Sequence, residues 1–92
     1  MITAIVFVQA ETARIPEVAE AIAALEGVSE VYSVTGQIDL IALVRVSSHE
    51  DVATVVADRL NKVEGVVDTE THIAYRAYSR HDLEAAFSLG LD

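Results

Sequence analysis

The 92-residue sequence predicts an α+β fold of the ferredoxin-like βαββαβ type: a four-stranded antiparallel sheet, two helices on one face, and a short C-terminal helix. Two observations lead there. Runs of β-branched residues alternate with stretches of helical spacing in the order β-α-β-β-α-β. Leu25-Glu26-Gly27-Val28 returns 38 residues later as Val63-Glu64-Gly65-Val66, each time at a helix-to-strand junction. Two copies are too few for a solenoid and fit the two βαβ halves of one domain, whose right-handed crossovers put both helices on the same side.

Each element has its own signal. Residues 2–9 (ITAIVFVQ) have strand composition and length. Pro16 suits the first turn of a helix, where its missing N–H costs nothing. Ile15, Val18, Ile22 and Leu25 mark that helix's apolar face, and Gly27 stops it. Residues 28–35 read as a second strand, Gly36 punctuates it, and Ile38 to Val46 form a third. Ser48 and Asp51 resemble a capping box opening a second helix, with Val52, Val55, Val56, Leu60 and Val63 as its apolar face. Gly65 ends it, and residues 66–78 form a long last strand. Ser79, Asp82 and Glu84 suit the start of a short helix over 80–89, stopped by Gly90. The expected organisation is a domain over 1–78 and a helical tail over 79–92.

Composition narrows the function. Fifteen acids against six basic residues give a net charge of -9, which argues against a nucleic-acid surface. No apolar run is long enough to span a membrane, and the N-terminus lacks the basic region of a signal peptide, so a cytoplasmic location is expected. With no cysteine, neither disulfides nor thiolate metal sites can support so small a core. Self-association is the expected supplement.

The third strand says where. Ile38, Leu40, Ala42, Val44 and Val46 form a wholly apolar set for the helices to cover. The opposite set, Asp39, Ile41, Leu43 and Arg45, still holds two large apolar residues, and strand one has Ile5 and Phe7 opposite Val6 and Val8. Strands apolar on both faces are normally covered on both faces, and two helices cover one. The open face is therefore expected to meet a second subunit, the alternative being that the C-terminal helix folds back over the sheet. About 500 Å² buried per chain there would contribute on the order of 10 kcal/mol gross, which association entropy partly offsets.

The chemistry-bearing residues are sparse. His49, His72 and His81 show no metal-site spacing, and the four glycines form no phosphate loop. No catalytic residue, metal or cofactor is expected. Asp39 stands out, because it leaves a glycine turn and enters an apolar strand where its charge needs a partner or backbone donors. An Asp that caps the turn through its own backbone is the alternative.

The stretch Val28-Ser29-Glu30-Val31-Tyr32-Ser33-Val34-Thr35-Gly36-Gln37-Ile38-Asp39-Leu40 resembles the effector-domain motif of the Lrp/AsnC family of transcriptional regulators. There a G-V step leads into a strand ending in T-G, and a G-x-aromatic-D turn leads into an apolar strand. Ile38 stands where the family usually has an aromatic. Glu64 to Thr71 resembles the second G-V step and its T-x-T strand. Full-length members carry an N-terminal helix-turn-helix domain, whereas this sequence starts at the first strand, so it looks like a stand-alone RAM (effector-binding) domain.

The resemblance implies a non-enzymatic module that senses a small molecule, typically an amino acid. It implies a homodimer, of the dimeric α/β-barrel type, built from face-to-face sheets and assembling further into tetramers or octamers. Mixed assembly with full-length relatives would modulate them. The effector loop maps to Val34, Thr35, Gly36, Gln37, Ile38 and Asp39. Thr69 and Thr71 map to strand residues that approach the effector from a neighbouring subunit. Two other classes share the element order: cofactor-free monooxygenase- or isomerase-like enzymes and ACT-like regulatory domains. An enzyme should keep a pocket between helices and sheet, and the uniformly apolar helix-facing set argues against one.

Overall fold

The structure is a computed structural model and describes residues 1–78. The helix expected over 80–89 lies outside the described residues. The elements are β1 (Ile2–Ala10), α1 (Ile15–Ala23), β2 (Val28–Ser33), β3 (Leu40–Val46), α2 (His49–Ala53) and β4 (Val66–Ile73). The strands form one antiparallel sheet in the order β2-β3-β1-β4. This is the expected ferredoxin-like arrangement.

A 3₁₀ turn over Thr12–Arg14 leads into α1, with Pro16 and Glu17 in its first turn. The Ser48 hydroxyl accepts the Asp51 N–H at 3.2 Å and caps α2. The expected second α-helix, however, is α-helical over five residues alone. It continues as a π-helix over Thr54–Arg59 and a 3₁₀ turn over Leu60–Lys62. The buried pair Val18 and Ile22 of α1 is four residues apart, whereas the buried pair Val55 and Leu60 is five apart. At about 100° per residue an α-helix would set Leu60 about 140° round from Val55, at the edge of the apolar face. The wider π turn absorbs the extra residue and keeps both side chains inside.

The core lies between sheet and helices. Ala4, Val6, Val8, Leu40, Ala42 and Val44 come from β1 and β3; Val18, Ile22, Val52, Val55 and Leu60 come from the helical segments. All are aliphatic. Each large side chain fully withdrawn from water contributes about 1.5–3 kcal/mol. Gly27 closes one side: a Cβ there would sit 2.6 Å from Val55 Cγ2. At Gly65 the same atom would sit 2.6 Å from Val18 Cγ2. Each E-G-V junction thus backs onto the helix of the other half.

The 38-residue echo extends to the sheet. The register shifts skip Ser29 in β2 and Val67 in β4, two bulges at equivalent places. Ile5 pairs with Leu43, its own equivalent, so an internal two-fold axis passes between them.

Pairing also fixes the faces, because residues directly opposite in antiparallel strands share a side. Thr3, Ile5, Phe7 and Gln9 lie on the open face with Ile41, Leu43 and Arg45, flanked by Glu30 and Tyr32 of β2 and by Asp68, Glu70 and His72 of β4. Several strand ends differ from expectation. β1 runs one residue further, to Ala10, β2 stops at Ser33 instead of Thr35, β3 begins at Leu40, not Ile38, and β4 stops at Ile73 instead of Tyr78. Ala74 still donates its N–H to Thr3 O at 2.9 Å, but β1 ends there and offers nothing further to pair with. Residues 75–78 leave the sheet as an exposed extension. Among the described residues no helix is long and apolar enough to cross a membrane.

Candidate functional site

The connection from β2 to β3 builds the site. Val34 N–H donates to Asp39 O at 3.1 Å and Asp39 N–H donates to Val8 O at 3.1 Å, which pins both ends of the loop. Gly36 at the apex has φ +107° and open space around its α-carbon. The Gln9 side-chain amide reaches Gln37 O at 3.3 Å. Asp39 Oδ2 accepts the Ala10 N–H at 2.9 Å, where the bulge interrupts the ladder between β1 and β4. Its carboxylate is thus a clamp across to β1, not a cap on its own turn, and Oδ1 is left for another donor. Among the described residues, none accepts from the N–H groups of Thr35, Gly36, Gln37 or Ile38. Where consecutive N–H groups around a left-handed glycine converge, they can hold an anion.

Beside the loop lies a hollow of about 150 Å³ lined by Phe7, Gln9, Ile38, Asp68, Thr69 and Glu70. It opens on the uncovered side of the sheet. His72 Nε2 lies 3.0 Å from Glu70 Oε2, and its ring meets Phe7 edge-on at 5.1 Å. At the far side of the face the Tyr32 hydroxyl donates to Glu30 Oε2. That hydrogen bond, with a smaller contribution from desolvation, raises the Tyr32 pKa above its ordinary value of 10.0. Among the described residues no cluster of three His, Cys, Asp or Glu side chains could hold a metal.

The sequence-derived residues divide in two. Val34 to Asp39 form one continuous loop, and Ile38 meets Thr69 at the hollow. Thr71 stands apart. Both threonines pair with Val8 and Val6, which places their side chains on the helix side of edge strand β4. There the Thr69 hydroxyl donates to Asn61 Oδ1 at 2.7 Å. Phe7, named in the sequence only as an apolar residue of the first strand, lines the hollow with Gln9, Asp68 and Glu70, which were not singled out. Period-two alternation along β1 and β4 carries their signal, since all four fall on the face of Ile5.

The chain is a small ferredoxin-like domain with one uncovered sheet face and a loop-edged hollow beside it. The family comparison gives it a lineage: the Lrp/AsnC ligand binding domain model matches residues 3–83, and the chain belongs to that family. It is 42% identical over 59 residues to the HTH-type transcriptional regulator PH1916 of Pyrococcus horikoshii, covering 64% of this chain and 39% of that protein. The chain thus spans about two-fifths of that regulator's length. The crystal structure of TTHA0845 from Thermus thermophilus superposes with a TM-score of 0.81 at 49% identity, covering 87% of this chain and all of that one. Escherichia coli AsnC shares the fold at a TM-score of 0.78 and 19% identity, over 85% of this chain and 53% of that one.

Proposed function

We propose that the chain senses a free amino acid at the Val34–Asp39 loop and does so as an assembly of face-to-face dimers. The carrying observation is the row of open N–H groups at residues 35–38 beside an acidic, half-formed hollow. An amino acid needs two complementary partners. Its carboxylate suits the loop N–H groups, and its ammonium suits Asp39 Oδ1 with Glu70 or Asp68 nearby. The hollow is about half the smallest usual ligand pocket of roughly 300 Å³. A neighbouring subunit would complete it, which also gives Thr69 and Thr71 a task on the far side of β4. The module is a cytoplasmic sensor with no catalysis of its own. Its dimers assemble to tetramers or octamers, and mixed assembly with full-length relatives modulates them.

The test is calorimetric titration with the twenty amino acids. Asp39→Asn keeps an oxygen for the Ala10 N–H and removes the charge. At least one amino acid should bind the unaltered chain and bind Asp39→Asn tenfold or more weakly. Equal binding by both removes Asp39 as the ammonium partner, and no binding of any amino acid removes the proposed ligand class.

A further inference from the structure

The extension after β4 carries two large aromatic side chains in open water. Tyr75 is 100% exposed and Tyr78 is 78% exposed. The described core is entirely aliphatic, and every described aromatic residue lies on the open face or on this extension. Residues 74–77 border, with Met1, Thr3, Ile5, Leu43 and Arg45, an open groove of about 660 Å³ at the edge of the open face.

We infer that residues 74–78 form an arm that clasps a second copy of this chain, with Tyr75 and Tyr78 packed against that copy's surface. The inference rests on the face-to-face pairing proposed above and adds the element that stabilises it. Area supports the arm. The open face offers about 500 Å² of apolar surface per chain, against about 800 Å² per partner at a standard-size interface. Two tyrosines bury roughly 150–250 Å² each and make up the difference. Charge agrees. Arg76, between the tyrosines, brings a cation to a face rimmed by Glu30, Asp68 and Glu70. Tyrosine and arginine are residue types enriched where interfaces are tightest.

The experiment uses the full chain. Tyr75→Ser with Tyr78→Ser should weaken the dimer about a hundredfold by sedimentation equilibrium, with unchanged far-UV circular dichroism, and Tyr→Phe at both positions should restore most of it. A photo-crosslinking phenylalanine analogue at position 78 of an isotope-labelled chain, mixed with unlabelled chain, should give labelled–unlabelled adducts on the open face. A dimer that survives the double Ser variant, or adducts confined to one chain, overturns the arm and leaves the pairing of faces intact. A monomeric unaltered chain overturns both.

Discussion

Replacing Gly27 by alanine tests how closely the two halves are fitted. Gly27 has φ +96°, and a Cβ there meets Val55 Cγ2 at 2.6 Å and Val46 Cγ1 at 3.3 Å. Gly36 has a similar φ of +107° but nothing within 4 Å of an added Cβ. Gly36→Ala should therefore cost the left-handed backbone penalty alone, about 1–2 kcal/mol. Gly27→Ala should cost that plus overpacking of about 1–3 kcal/mol, because the obstacle is a core side chain with little room to move. The difference amounts to roughly 5–20 °C in Tm for a domain of this size. Urea denaturation followed by circular dichroism, at one fixed protein concentration, reads it directly. Adding Val55→Ala removes the clashing methyl, so the double-mutant cycle should return about 1–3 kcal/mol of favourable coupling. Equal costs at Gly27 and Gly36, or a cycle without coupling, would refute the close-fit argument.

Deleting Ala57 should convert the π turn to α-helix while leaving Leu60 buried, and thermal melting should shift by a few degrees at most. Deleting Ala21 from α1 instead rotates Ile22 out of the core and should abolish the cooperative melt. Asp39→Ala should cost about 1–3 kcal/mol in chemical denaturation, because the Ala10 N–H loses its acceptor in a partly buried setting. In alkaline titration followed at 295 nm, Tyr32 should ionise above pH 10, since its hydroxyl is held by the Glu30 carboxylate. Its raised pKa means that this contribution to stability is complete below about pH 10 and is lost as pH rises through the folded value. Glu30→Gln should bring that ionisation down, and an unchanged titration would show that the hydrogen bond does not form in solution.

Much of this fold was legible in the sequence because one physical rule, apolar spacing, reports both element type and face. Ile15, Val18, Ile22 and Leu25 all lie buried or partly buried under the sheet as their spacing required. The alternation of Leu40, Ala42 and Val44 with Ile41 and Leu43 gave both faces of β3 correctly. The π turn was not legible, because on α-helical spacing Val52, Val55, Val56, Leu60 and Val63 share one face, with Leu60 at its edge. The end of β4 could not be read locally. Thr71 to Tyr78 continues strand-like, and it is β1 running out at its own start that ends the pairing. The Asp39 clamp joins residues 29 apart in sequence across a bulge, and charge pattern alone does not reveal which N–H the carboxylate meets. The directions of Thr69 and Thr71 likewise depend on their register against β1.

The internal two-fold axis between Ile5 and Leu43 creates an ambiguity for docking. A partner seated on the open face and one turned half-way round that axis would meet almost the same contour. Uniqueness must come from positions where the halves disagree, and three are at hand: Phe7 answers Arg45, Ile41 answers Thr3, and Tyr32 answers Glu70. An aromatic opposite a cation, or a branched aliphatic opposite a small hydroxyl, makes one orientation pack and the other leave a void or a stranded charge. Making the halves more alike at these positions would blur the choice of orientation before it weakened the fold. The internal symmetry of the sheet thus leaves orientation to a few unmatched side chains.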